Sequence, residues 1–159
     1  MNKLKYIGLT AAKHILKIIY IPLKLMPVQK KITFISRQSD EPSIDIMLLS
    51  EKLKEEHGEY KVVILSKQLS GLIEYGFHII RQVYHIATSE VVVLDSYCIP
   101  ISILNHRKTL KVIQMWHSIG SMKKFGYAMI GKEEGSSESI AKIMEMHKNY
   151  THVLIASLD

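Results

Sequence analysis

The 159-residue chain has one cysteine, Cys98, so no disulfide can form within it, which favours a reducing compartment. Cys98 follows a strand-like run with no base near it in sequence, and reads as a small buried hydrophobe rather than a nucleophile. Four prolines and eight glycines are too few for a collagen-like or low-complexity segment, and no internal repeat is present. Long apolar runs are also missing. Lys13, Lys17 and Lys24 break up the first 26 residues and Pro22 interrupts the stretch from Ile18 to Leu23. This excludes a continuous signal-peptide core and a spanning helix of about 20 apolar residues. Residues 1–31 lack acidic side chains altogether but hold seven lysines, whereas the other 128 residues carry 14 basic and 15 acidic side chains. The net charge of +6 therefore belongs to an N-terminal arm. A nearly neutral body argues against a nucleic-acid partner, which requires basic residues across the folded surface.

Projected at about 100° per residue, Leu4, Ala11, Ala12, Ile15, Leu16, Ile18 and Ile19 gather on one side of the arm. Lys3, Thr10, Lys13, His14, Lys17 and Lys24 gather on the other. This is the pattern of a helix lying in the headgroup plane of an anionic membrane. Lys3, Lys13, Lys17 and Lys24 would face headgroups, each contributing about 1 kcal/mol, and Ile15, Ile18 and Ile19 the acyl boundary. An amphipathic helix packed on the body, with its lysines in water, would show the same pattern. Pro22 and Pro27 close the arm, so residues 1–28 are read as a membrane-associating segment and 29–159 as a globular domain.

The body alternates strands with helices. β-rich runs cover Lys31–Ser36, Tyr60–Ser66, Glu90–Asp95, Leu110–His117 and His152–Ser157. Helical spacing covers Ile44–Leu53, with Ser43 as N-cap and Gly58 as stop, then about 71–87, a short stretch from Pro100 to Leu104, and about 139–150. Strands joined by single helices imply right-handed crossovers and a parallel sheet. The fold class is α/β, a Rossmann-like sheet preceded by a basic amphipathic helix. No G-x-G-x-x-G follows the first strand, where Phe34-Ile-Ser-Arg-Gln-Ser-Asp40 stands instead. A nicotinamide or flavin is thus disfavoured, and no cofactor is expected. His147 and His152 lack convergent ligands, so no metal is expected either. The chain stops two residues after the fifth strand, at the sheet edge where ligands bind in such folds, which suggests a cut between two halves of a larger machine.

Strand ends point to Asp95-Ser96-Tyr97 and Trp116-His117-Ser118. His117 is delivered to the working edge by the fourth strand and is followed by Ser118-Ile-Gly120-Ser-Met-Lys123-Lys124. Gly120 allows close backbone approach to a ligand, and Lys123 and Lys124 carry charge suited to a phosphate. A histidine that titrates near neutrality is a natural proton acceptor; a hydrogen-bonded structural histidine would occupy the same place.

The run Gln114-Met-Trp-His-Ser-Ile-Gly-Ser-Met-Lys-Lys-Phe-Gly-Tyr127 resembles the signature of the CDP-glycerol glycerophosphotransferase family of teichoic acid and capsule synthesis. That signature is a Trp-His pair, then small residues and glycine, then Lys-Lys and Gly. Ile140–Tyr150, the strand to Ser157, the strand ending Val93-Leu-Asp-Ser96 and the basic N-terminus are similar to it too. Many members carry His-Gly-Thr-Pro where this chain has His117-Ser-Ile-Gly120.

The resemblance implies the N-terminal half of a GT-B-like transferase. This half would bind a polyprenyl-diphosphate-linked acceptor at the cytoplasmic face of a bacterial membrane. The absent C-terminal half would bind CDP-glycerol or CDP-ribitol and choose between them. His117 would be the general base, with Asp95, Ser96, Ser118, Gly120, Lys123 and Lys124 holding acceptor or phosphate; Trp116 would pack beneath the loop. Without the donor half, the chain alone is expected to be inactive, and self-association is left open. A non-catalytic peripheral membrane module is the alternative, and a nucleotide-sugar glycosyltransferase sharing only the fold is a third reading.

Overall fold

The computed structural model describes residues 3–68, 71–115 and 138–154. In it the β-rich runs become β1 (Gln29–Ser36), β2 (Lys61–Ser66), β3 (Ser89–Leu94), β4 (Lys111–Gln114) and β5 (His152–Val153). These form one sheet of order β2-β1-β3-β4-β5 in which every neighbouring pair is parallel. The helices are α1 (Lys3–Lys24), α2 (Ile44–Glu56), α3 (Leu72–Thr88), α4 (Ile99–Ile103) and α5 (Glu138–Ile143). The expected α/β, Rossmann-like layer is present.

Alternation along each strand divides the core in two. Ile35, Leu65, Val92, Leu94 and Val112 pack with Val83 and Ile86 of α3 and with Ile101 and Ile103 of α4. Ile32, Phe34 and Val93 face the other way, against Ile46 of α2. Burial on both faces is why these strands read as continuous apolar runs. Ser43 caps α2 as expected, its hydroxyl accepting from the Ile46 N–H, which satisfies one of the donors a helix start leaves open.

Three local expectations need correcting. Pro22 lies inside α1. A proline so near a helix end removes only one hydrogen bond, and the chain closes with Leu25 N–H to Pro22 O and Met26 N–H to Leu23 O, both 3.1 Å. The last helix ends at Ile143 rather than near 150, because Glu145, His147 and Asn149 take left-handed φ values of 48°, 61° and 69°. Asn149 then donates its carboxamide to the carbonyls of Ile101, Ser102 and Leu104 at 2.9, 3.2 and 3.1 Å, supplying partners that the end of α4 leaves open. β4 ends at Gln114 rather than continuing to His117; residues 116 and 117 and the 155–157 part of the expected fifth strand lie outside the described residues.

The N-terminal helix is packed on the body. Leu9, Leu16, Tyr20 and Leu23 line one stripe of α1 against the core, and Tyr20 is buried. The Tyr20 hydroxyl donates to His106 Nδ1 at 2.9 Å while His106 Nε2 donates to the Ile101 carbonyl at 2.8 Å. Lys13 reaches the Ile143 carbonyl at 2.8 Å and pairs with Glu145 at 2.5 Å. Hydrogen bonds from Lys13 and Lys148 hold the Glu145 carboxyl down to about 2. Lys24 donates to the Asn105 carbonyl at 2.8 Å. Two of the lysines expected at headgroups are thus turned onto the body.

At the amino-terminal end of the sheet Lys31 is buried, donating to Thr88 Oγ1 at 2.5 Å and lying 5.2 Å from the Tyr84 ring centre. Burial, helped by Lys61, pulls its pKa to about 8. Burial and then the Lys31 charge push His85 down to about 4. An unfolded histidine protonates near 6.5, so between about pH 6.5 and 4 the unfolded chain binds a proton that the folded chain refuses. Stability is expected to fall as pH is lowered through that window. Burial lowers His106 and His147 in the same direction. Thermal melts from pH 7.5 to 4 should show a falling midpoint, with a shallower fall in His85→Gln; an unchanged slope in the variant would rule out His85 as a source.

Candidate functional site

The strand order reverses between β1 and β3. α2 leaves β1 on one face, α3 and α4 lie on the other, and in open parallel sheets such a reversal opens a crevice at the carboxyl ends of the strands. Ser36-Arg37 stands on one side of it and Asp95-Ser96-Tyr97 on the other. The two loops are joined directly, the Arg37 N–H donating to Ser96 Oγ at 3.2 Å. Asp95 is buried at the end of β3. Asp95 and Ser96, expected at the working edge, are therefore at the crevice. Behind them Cys98 is buried, and burial raises its thiol to about 11, as its reading as a buried hydrophobe requires.

Arg37 was not singled out by sequence reasoning, although the segment that replaces the glycine motif contains it. Its Nη1 donates to the Tyr97 carbonyl at 3.0 Å, and its guanidinium carbon lies 5.9 Å from the Tyr75 ring centre and 5.7 Å from that of Tyr97. Burial raises the pKa of both tyrosines, and the Arg37 charge partly opposes this. The signal available in sequence was positional: a polar run, Ser-Arg-Gln-Ser-Asp, directly after the first strand.

β4 ends at the same edge. The Met115 N–H donates to the Leu94 carbonyl at 2.7 Å, one residue before Asp95. His117, Ser118, Gly120, Lys123 and Lys124 lie outside the described residues. Among the described residues no group of three His, Cys, Asp or Glu side chains is placed to hold a metal ion.

A second feature adjoins the crevice. Along α1, Ile7, Ile15 and Ile18 are exposed on the side opposite Leu9, Leu16 and Tyr20, and along α3 Ile73 and Phe77 are exposed by 80% and 75%. The two helices flank an apolar groove of about 470 Å³ lined by Ile15, Ile19, Ile73, Gly76, Phe77 and Ile80, among others. α1 thus has two apolar sides, one on the core and one outward; Lys17 is half-buried between them and Ile19 faces the groove. Tyr75, between Ile73 and Phe77 in sequence, turns inward to Arg37. The first turns of α3 therefore take part in both features, Tyr75 on the inward side at Arg37 and Ile73 and Phe77 on the outward side. No described helix is long and apolar enough to cross a membrane.

Residues 19–158 match the family model described as CDP-Glycerol:Poly(glycerophosphate) glycerophosphotransferase. The chain belongs to this family. It is 34% identical over 137 residues to the teichoic acid ribitol-phosphate primase of Bacillus spizizenii, covering 84% of this chain and 35% of that one. It is 31% identical over 146 residues to the teichoic acid poly(ribitol-phosphate) polymerase of the same organism, covering 87% and 22%. To the teichoic acid glycerol-phosphate primase of Bacillus subtilis it is 30% identical over 121 residues, covering 67% and 32%. The chain spans a third or less of these relatives' length, apart from the first, of which it spans 35%. The matched range includes the Trp116–Gly126 segment.

Proposed function

We propose that this chain is the acceptor-binding half of a polyol-phosphate transferase. In this reading the enzyme moves glycerol phosphate or ribitol phosphate from a CDP-polyol to a membrane-linked teichoic acid or capsule acceptor. The observation that carries the reading is the outward apolar face of α1 and α3 beside the crevice of Arg37 and Asp95, in a chain of this family. An acceptor anchored by a polyprenyl chain must present its hydroxyl close to the bilayer. Ile15, Ile18, Ile73 and Phe77 would rest in the interface, with Lys17 towards anionic headgroups at the cytoplasmic face.

His117 takes the proton from the acceptor hydroxyl as that oxygen attacks the β-phosphate of the donor. The new P–O bond forms as the bond to CMP breaks, and CMP leaves with the electron pair. Asp95 orients His117 or the acceptor, Ser96, Ser118 and Gly120 line the acceptor phosphate, and Lys123 and Lys124 stabilise developing phosphate charge.

Flotation with vesicles tests the membrane part. The chain is expected to float with phosphatidylglycerol vesicles and less with neutral ones. Ile18→Asp and Phe77→Asp should each weaken binding about ten- to a hundredfold, the equivalent of the 1.5–3 kcal/mol that burial of such a side chain contributes. Equal flotation by wild type and both variants would contradict the reading.

A further inference from the structure

Arg37 has the features of an anion receptor that no part of the mechanism above uses. It stands where the β1 and β3 loops diverge, the position at which ligands of such sheets bind. Among the described residues no carboxylate pairs with it, although Asp40, three residues on, is held by Lys67 and the Gln68 N–H. The guanidinium is fixed by the Tyr97 carbonyl and by two aromatic rings, so little side-chain freedom remains to be lost on binding. Its Nε is buried without a hydrogen-bond partner among the described residues. Buried donors are normally satisfied, and an arginine fork with unused donors at a ligand crevice matches the paired oxygens of a phosphate. The loops are already locked together by the Arg37 N–H to Ser96 Oγ bond, so the receptor is preformed.

We propose that Arg37, held between Tyr75 and Tyr97 at the β1/β3 crevice, binds the diphosphate of the lipid-linked acceptor. This rests on the acceptor-half reading and adds to it the residue that recognises the acceptor's charge. α3 lines the apolar groove with Ile73 and Phe77 and flanks Arg37 with Tyr75, so a prenyl tail on that groove would direct its diphosphate towards the crevice. The same phosphate chemistry is carried by the CDP-polyol donor, so both must be offered.

The test is a titration of the chain, followed by the Nε–H resonance of Arg37 in a ¹H–¹⁵N spectrum. Arg37→Lys identifies that resonance by deleting it, and the chain's amide spectrum reports whether the variant is folded. The ligands are farnesyl diphosphate, inorganic diphosphate and CDP-glycerol. A saturable shift of the Arg37 resonance with farnesyl diphosphate is expected, and the amide shifts that accompany it should report an affinity at least tenfold weaker in Arg37→Lys and weaker again in Arg37→Gln. Farnesyl diphosphate binding equally to wild type and Arg37→Lys would overturn the role of Arg37 while leaving the acceptor half standing. No binding of farnesyl diphosphate, or an Arg37 shift with CDP-glycerol alone, would overturn the acceptor-half reading with it. If both variants fail to fold, the resonance is assigned in the wild type through its own side-chain bonds to the Arg37 amide: a saturable shift upholds the proposal and its absence refutes it.

Discussion

His117→Ala, in a protein that joins this chain to a donor-binding half, is expected to slow acceptor-dependent CMP release by about 10²–10⁴-fold, the usual contribution of a positioned general base. An acceptor hydroxyl at neutral pH is a poor nucleophile, and its proton must leave as the oxygen engages phosphorus. His117 follows the fourth strand by three residues, and that strand is bonded to the end of β3 where Asp95 stands. The loss should fall on kcat, with vesicle flotation and acceptor affinity unchanged, because the histidine works in the transition state and the apolar face of α1 and α3 is untouched. Turnover within threefold of wild type would remove His117 from the chemistry. Loss of flotation together with turnover would mean that the substitution had acted through the fold.

Phe34→Ala is expected to cost about 3–5 kcal/mol of stability, a large part of the roughly 5–15 kcal/mol that a domain commonly has. The side chain is 0% exposed and packs beside Ile32, Ile46 and Val93 in the smaller of the two core clusters. That cluster has only α2 to cover it among the described residues, so there is little material to collapse into the void. Phe34 also lies two residues before Ser36, the last residue of the strand that leads into Arg37. Urea denaturation should show the midpoint falling with little change in slope; a loss below about 1 kcal/mol would mean that α2 relaxes onto the sheet far more freely than its packing suggests.

Most of the framework was legible because the strands are buried on both faces, so their β-branched runs stand out, and because Ser43 opens α2 by ordinary N-capping and the helix ends at Glu56, two residues before Gly58. The end of α5 was not legible, since its stop comes from left-handed Glu145, His147 and Asn149 rather than from glycine or proline. Nor was the seat of α1. Its apolar residues occupy much of the helix circumference, and a projection cannot tell which of them meet the core. Leu9, Leu16 and Tyr20 do, Ile7, Ile15 and Ile18 do not, and Lys13 and Lys24 turn onto the body. The basic arm is thus a part of the domain with one apolar side outward, and α3 shares that outward surface, which the pattern of residues 71–87 alone did not reveal. At the site, Asp95 and Ser96 followed from strand ends, whereas Arg37 required the strand order, because only the reversal between β1 and β3 makes the first strand's end a ligand position.

Service of this chain in transfer of a polyol phosphate to a lipid-linked acceptor is tested most directly by offering CDP-glycerol, CDP-ribitol and nucleotide sugars to a protein that joins it to a donor-binding half, with and without a polyprenyl-diphosphate-linked acceptor. CMP release from a CDP-polyol that depends on the acceptor is the predicted result. Turnover of a nucleotide sugar, with both CDP-polyols left intact, would contradict it.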